Sequence, residues 1–130
     1  MIDPDNNPFS LNNLKSKVIL IQFTGIGCGF CHLSVPFLNS LIKEYEHSNL
    51  ELIAIETWND DPDVIKRYIS NNKITYHYLK ASDENKKQYQ ISGVPVFYIL
   101  DENRIIRKVI KGYSKESTDK EIRDAINALI

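Results

Sequence analysis

Both cysteines of the chain fall in one short stretch, FTGIGCGFCHLSVP (residues 23–36), two residues apart, with a histidine directly after the second. Cys28-Gly29-Phe30-Cys31-His32 fits two unrelated chemistries. A C-x-x-C pair near a strand–helix–strand pattern reads as a reversible dithiol, whereas C-x-x-C-H is the attachment signature of a c-type haem. In the first the sulfurs store electrons, and in the second they are used up as tethers. A bridge closing so short a loop removes little entropy from the unfolded chain, so stability is a poor reason for it. Nor can two cysteines build the disulfide framework of a small secreted domain.

The elements around the pair determine how it can react. KVILIQF (17–23) is a short, β-branched apolar run that predicts a strand buried on both faces. In the following LSVPFLNSLIKEYEHSN, Leu33, Phe37, Leu41 and Tyr45 recur every four residues, and Leu38 and Ile42 widen the stripe. That spacing predicts an amphipathic helix, closed by Asn49. Cys28 is then expected at a helix start, where unsatisfied N–H groups and the positive dipole end favour a thiolate. Cys31 lies on the same helical face within disulfide reach. Cys28 is the expected nucleophile, and Cys31 the resolver that attacks a mixed disulfide held on Cys28. Gly25, Gly27 and Gly29 are expected to leave the approach uncrowded and let the backbone turn sharply.

Further along, LELIAIET (50–57) predicts a second buried strand. Asp61 reads as an N-cap with Pro62 in the first helical position, opening a helix that presents Val64, Ile65, Tyr68 and Ile69 and stops near Asn71. TYHYL (75–79) alternates as a strand, and DENKKQYQ (83–90) reads as a short polar-faced helix. VPVFYIL and RIIRKVI are strand-like runs joined by Asp101-Glu102-Asn103, which suits a hairpin. STDKEIRDAINALI closes the chain as a helix capped by Ser117 or Thr118, with Ile122, Ala125, Ile126 and Leu129 facing inward. The order β-α-β-α-β-α-β-β-α is an α/β fold with a mixed sheet. Helical crossovers imply parallel strands, and the terminal hairpin adds an antiparallel edge.

With 130 residues, 42% apolar and 25% charged, the chain is expected to form one globular domain over 1–130, residues 1–8 being a solvated lead-in. A net charge of −1 gives no electrostatic reason to expect nucleic acid or an anionic membrane as partner. No stretch approaches the roughly 20 apolar residues of a membrane helix, and no signal-peptide pattern is visible. Asp3, Asp5 and Asn7 superficially resemble a calcium loop, but Pro8 stands where the turn glycine belongs and Leu14 where the bidentate glutamate belongs. Two cysteines and scattered histidines do not make a four-ligand zinc site, so no metal and no cofactor are expected. The acidic run 59–63 is explained by helix capping.

Three motifs then carry a resemblance: ILIQFTGIGCGFC, a strand running into C-x-x-C; Pro36, five residues after Cys31; and SGVPVFYILDENRII, a glycine-x-proline turn, strand and hairpin. Over roughly residues 9–130 the chain resembles the thioredoxin-fold thiol–disulfide oxidoreductases, in particular the TlpA/ResA-like branch. The resemblance implies a thioredoxin-like fold, with an extra helix and strand at 61–79 inserted after the second strand. It makes Pro36 the proline that kinks the active-site helix and Val94–Pro95 a cis bond. A loop of that kind would offer the Val94 backbone to an extended substrate by strand addition. Phe30, Val94 and Pro95 become the expected substrate contacts. The implied partners are protein thiols or disulfides and an upstream redox protein, met outside the bacterial cytoplasm, in the periplasm or cell envelope. No membrane insertion is expected, and the protein is expected to be a monomer.

The chain also departs from these relatives. Gly27 stands where a tryptophan commonly precedes the first cysteine, and Gln22 where thioredoxins carry a buried aspartate. Gln22 cannot ionise, so Glu56, at the end of the second strand, is the candidate for proton transfer, since strand ends in open α/β sheets point to the ligand crevice. Its plainer reading is an exposed strand-end charge. Trp58 is expected to be partly buried and structural, and His77 has no assigned role. His32 reads as a helix residue able to act electrostatically on the sulfurs. A haem would need a further axial ligand, nominally Met1, His47 or His77, and the several strand-like runs argue against a helical haem wrapper. A peroxidase relative would carry threonine or serine three residues before the cysteine, where Gly25 stands. A binding module keeping the fold without turnover is the other alternative.

Overall fold

The computed structural model describes residues 2–5, 7–11, 14–59, 61–82 and 93–130. Its elements are β1 (Val18–Thr24), α1 (Gly29–Glu44), β2 (Leu50–Glu56), α2 (Pro62–Asn71), β3 (His77–Lys80), β4 (Val96–Leu100), β5 (Ile106–Lys111) and α3 (Lys115–Leu129). The strands form one sheet in the order β3-β2-β1-β4-β5. β1 is central and buried along its whole length, which is why its sequence is a continuous apolar run rather than an alternating one.

Pairing is parallel among β1, β2 and β3, and antiparallel for both β1–β4 and β4–β5. The antiparallel part is therefore larger than the terminal hairpin expected from the order of elements. β4 begins beside the carboxyl end of β1, Val96 facing Phe23, so it has to run back along β1. In the same register Thr24 faces Glu56. The segment after β1, the segment after β2 and the turn before β4 thus meet at one end of the sheet.

Leu20 and Phe97 turn to one face, where Leu38 and Leu41 of α1, Ile65 of α2, and Ile122 and Ile126 of α3 cover them. Ile19, Ile21 and Phe23 turn to the other face, with Ile53, Ile55 and Leu100, against which Phe9, Leu11 and Leu14 pack. Each fully buried leucine or isoleucine contributes about 1.5–3 kcal/mol, which ties α1 firmly to the sheet.

Local signals set most boundaries. Asp61 caps α2 by accepting the Asp63 N–H at 2.9 Å, and Pro62 occupies the first turn. α1 closes at Glu44, earlier than Asn49, because the Tyr45 N–H ends the ladder on Leu41 O and the Asn49 carbonyl is taken by the Val18 N–H at the start of β1. α3 starts at Lys115 with Ser114 as N-cap, ahead of the expected Ser117 or Thr118. Thr118 is buried in the first turn, its Oγ1 accepting the Ser114 N–H at 2.9 Å. The helix expected at 83–90 lies outside the described residues.

The lead-in is less solvated than expected. Ile2 exchanges backbone hydrogen bonds with Lys80 and bridges to Pro8, covering part of the free edge of β3. Asp3 Oδ1 accepts the N–H groups of Asp5 and Asn7, making a turn of the acidic stretch. Among the described residues no helix is long and apolar enough to cross a membrane.

Candidate active site

Cys28 is the N-cap of α1, with extended backbone (φ −81°, ψ 117°) and a sulfur that accepts the Cys31 N–H at 3.2 Å. A cysteine in this place does the work of a capping serine and receives the positive end of a 16-residue helix. Cys31, one turn on, is bonded to it as a disulfide, with the two Cα atoms 5.3 Å apart. The pair is unequally exposed: Cys28 is 8% accessible and Cys31 1%. Cys28 is thus the less deeply buried of the two. Pro36 lies within α1, where the resemblance put it.

The Val94–Pro95 bond is cis, and the Val94 carbonyl oxygen lies 3.7 Å from Cys28 Sγ. That puts the backbone of this loop directly beside the accessible sulfur. On the other side the α1 surface is apolar, with Phe30 62% and Leu33 61% exposed. Together with Tyr113, Ser114 and Lys115 they line a cleft of about 420 Å³.

Behind Cys31 stands Gln22, buried in β1. Its Nε2 donates to Ser34 Oγ at 2.8 Å, and Ser34 Oγ donates to the Cys31 carbonyl at 2.6 Å. The position thus holds a neutral hydrogen-bond chain that fixes the first turn of α1, with no ionisable group in it. His32, which raised the possibility of haem attachment, turns toward α2 and shares a 3.1 Å hydrogen bond between Nδ1 and Tyr68 Oη.

Glu56 is completely buried, which corrects the reading of an exposed strand-end charge. Its carboxylate accepts the Ile26 N–H on both oxygens (3.1 and 3.0 Å), the Trp58 and Asn59 N–H groups on Oε2 (3.0 Å each) and the Tyr78 hydroxyl on Oε1 (2.6 Å). These partners face it toward loop backbone. Burial, and then the Glu56 charge, push the phenols of Tyr68 and Tyr78 up, that of Tyr78 well above the ordinary tyrosine range. Trp58 is 56% exposed rather than partly buried, and its indole lies against Gly25 so closely that a Cβ there would overlap the ring. Gly25 is accordingly covered, whereas Gly27, at φ +104°, is the turn residue that needs to be glycine. His77 pairs with Glu51 at 3.1 Å, away from the dithiol.

The structure thus gathers Cys28, Cys31, Phe30, Val94 and Pro95 at one end of the sheet and puts Glu56 behind the loop leading to Cys28. Trp58 has the structural role expected of it, against Gly25, though it is more exposed than expected. The supporting role of Ser34 was not foreseen, its only signal being a serine one turn after a cysteine.

The Redoxin family model matches residues 1–127. A curated relative, the thiol-disulfide oxidoreductase ResA of Bacillus thuringiensis, is 24% identical over 122 residues, covering 90% of this chain and 68% of its own. Among solved structures, a DsbE-type thiol:disulfide interchange protein of Chlorobium tepidum superposes with a TM-score of 0.86 at 16% identity, covering 98% of this chain and 90% of that one. A secreted disulfide oxidoreductase of Mycobacterium tuberculosis gives 0.81 at 17% identity, covering 98% and 93%. With its C-x-x-C pair at disulfide distance, the chain belongs to the Redoxin family, as a TlpA/ResA-like thiol–disulfide oxidoreductase of thioredoxin fold.

Proposed function

We propose that the chain exchanges electrons with protein cysteines through Cys28 and Cys31, with Cys28 as the attacking sulfur and Cys31 as the resolver. The observation that carries the division of labour is the unequal access to the two sulfurs at the start of α1. In the reducing direction, the Cys28 thiolate attacks one sulfur of a substrate disulfide and expels the other as a thiolate, which takes up a proton. Cys31 then attacks Cys28 Sγ, forming the internal disulfide and releasing the second substrate thiol. Two electrons pass to the substrate, and an upstream dithiol protein restores the pair. Run backwards, the same steps oxidise a substrate.

An extended substrate segment is placed along the backbone of Val94 beside the sulfur, the Pro95 carbonyl being engaged by the Gly112 N–H at 2.8 Å, with Phe30 and Leu33 offering apolar contact next to it. Proton exchange is assigned to solvent at the mouth of the site, because Gln22 cannot ionise and the Glu56 oxygens are engaged by loop donors. The secreted relative of the same fold supports a site of action outside the cytoplasm, and the chain is read as working as a monomer.

Insulin reduction by the wild-type protein, beside Cys28→Ser and Cys31→Ser, tests this reading. The wild type is expected to turn over, Cys28→Ser to be inactive, and Cys31→Ser to accumulate a mixed disulfide on Cys28. A wild-type protein inert in both reducing and oxidising conditions would convert the reading into that of a binding module. A trap forming on Cys31 instead would reverse the roles.

A further inference from the structure

Glu56 is the one fully buried carboxylate among the described residues, and the exchange chemistry above makes no use of it. Its surroundings form a consistent pattern. Three backbone groups of the segment leading to Cys28, Thr24 O, Ile26 N–H and Ile26 O, are taken up by residues 56–59, while Gly25 O accepts the Cys28 N–H at 3.0 Å. Thr24 O accepts the Thr57 N–H at 2.9 Å and the Thr57 hydroxyl at 3.0 Å. Ile26 N–H donates to Glu56, and Ile26 O accepts from Asn59 Nδ2 at 3.1 Å. The Trp58 indole covers Gly25 between them. Glu56 also holds this clasp itself in shape through the Trp58 and Asn59 N–H groups.

Every described partner of the carboxylate is a donor. A neutral amide would supply one oxygen and turn an NH₂ toward N–H groups, so the site calls for two acceptor oxygens and a negative charge. That charge is bonded to the N–H of Ile26, two residues before Cys28. A like charge behind the loop disfavours a thiolate on Cys28, and what disfavours the reduced pair favours the disulfide.

We propose that Glu56 is a positioning residue of the dithiol: its buried carboxylate fastens the loop that carries Cys28 and, as a fixed negative charge behind it, biases the pair toward the disulfide and makes the protein more strongly reducing. The inference rests on the exchange reading for the use of the pair. Other titratable groups around the site are His32 on α1, Tyr68 on α2, Tyr78 and Lys80 on β3, Lys80 being the register partner of Glu56, and, across the Phe30 cleft, Lys115 at the start of α3. Of these, Tyr78 alone is shown donating directly to the carboxylate.

That contact supplies a test with two opposite signs. Glu56→Gln removes the charge, while Tyr78→Phe keeps it and removes its shortest compensating hydrogen bond. Each protein is equilibrated in glutathione buffers, with the fluorescence of Trp58, the chain's only tryptophan, reporting the redox state. The Cys28 thiolate is followed separately by its ultraviolet absorbance against pH. Glu56→Gln is expected to shift the equilibrium constant toward the dithiol about tenfold, a potential about 30 mV less negative. It is also expected to lower the pH at which the thiolate forms. Tyr78→Phe is expected to move both quantities the other way.

Movement of both variants in the same direction, or of neither, overturns the proposal, since plain loosening of a loop has one sign. If Glu56→Gln does not fold, Tyr78→Phe decides alone, a potential that is unchanged or less negative counting against the proposal. Both readouts are made on the protein's own dithiol. A protein that titrates as expected yet reduces no insulin would break the exchange reading and leave this one standing.

Discussion

Glu56 and Asp101 do similar local work at opposite ends of the sheet. Just past β4, Asp101 Oδ1 accepts the N–H groups of Asn103 at 2.9 Å and Ile105 at 3.1 Å, and Oδ2 takes the Arg107 guanidinium at 3.1 Å. This closes the β4–β5 turn, in which Arg104 adopts a left-handed conformation (φ 64°) and donates to the carbonyls of Ser16 and Leu14. Among the described residues, the partners of the Asp101 side chain lie within six residues of it. Glu56, by contrast, draws donors from a loop 30 residues upstream and a strand 22 residues downstream. One carboxylate shapes a turn that only has to reverse the chain. The other joins three separate segments, and one of these carries the reactive sulfur. The difference is one of reach, and reach is what couples a buried charge to chemistry.

The sharpest way to break this comparison is to remove function at one end and shape at the other. Cys28→Ser is expected to lower insulin turnover to the uncatalysed rate while leaving the thermal midpoint of the reduced protein close to that of the reduced wild type. Asp101→Ala is expected to do the reverse, with normal turnover in a less stable protein. Turnover assays and thermal melts of the two proteins side by side decide it. A large loss of turnover in Asp101→Ala would mean that the far turn is coupled to the dithiol after all.

What was legible in the sequence follows the same division between local and distant. The cap at Asp61 and Pro62, the buried run of β1, the cysteine pair before an apolar stripe and the hairpin at Asp101 are each written within a few consecutive residues, and the structure has them all. The resemblance added Pro36 and the turn at Val94–Pro95, which periodicity does not give. What stayed hidden depends on partners far along the chain. Glu56 looks like an exposed strand-end charge until β1 and β2 are paired in register and Thr24 is seen to face it. Gln22 looks like a missing acid until Ser34, 12 residues on, is found bonded to it. The direction of β4 and the cover that Ile2 gives β3 also come from pairing between segments, and residue types along one segment do not encode that pairing.

The clasp can also be probed with two glycines four residues apart. Gly25→Ala puts a methyl group into the Trp58 ring, so the indole or the loop has to shift, and a loss of about 1–3 kcal/mol is expected in denaturant titrations. Gly29→Ala meets no atom within 4 Å and stands in the first turn of α1, where exchanging glycine for alanine is expected to add about 0.5–1 kcal/mol. Trp58 fluorescence should change with the first variant and not with the second. Equal effects from both would mean that the indole does not hold the loop.

The smallest effects are in the pH profile of stability, where the two ends should separate. Backbone donation from Ile105 is the first cause that holds the Asp101 carboxyl below the usual aspartate range, with Arg107 adding to it. A carboxyl whose folded pKa lies below its unfolded value stabilises the protein above about pH 4, and that contribution fades as the pH falls through the folded value. At the dithiol end the signs are reversed. Tyr78 is pushed up by burial and by Glu56, so its contribution is complete below about pH 10 and is lost as the pH rises beyond that. Asp101→Asn should therefore flatten the acid limb and leave the alkaline limb alone. Tyr78→Phe should remove one share of the alkaline limb, Tyr76 and Tyr113 keeping theirs because burial raises both. Midpoints of chemical denaturation measured from acid to alkaline pH would show this. If Tyr78→Phe altered the acid limb as strongly as Asp101→Asn does, the two carboxylates would be parts of one electrostatic unit, and the separation by reach would not hold.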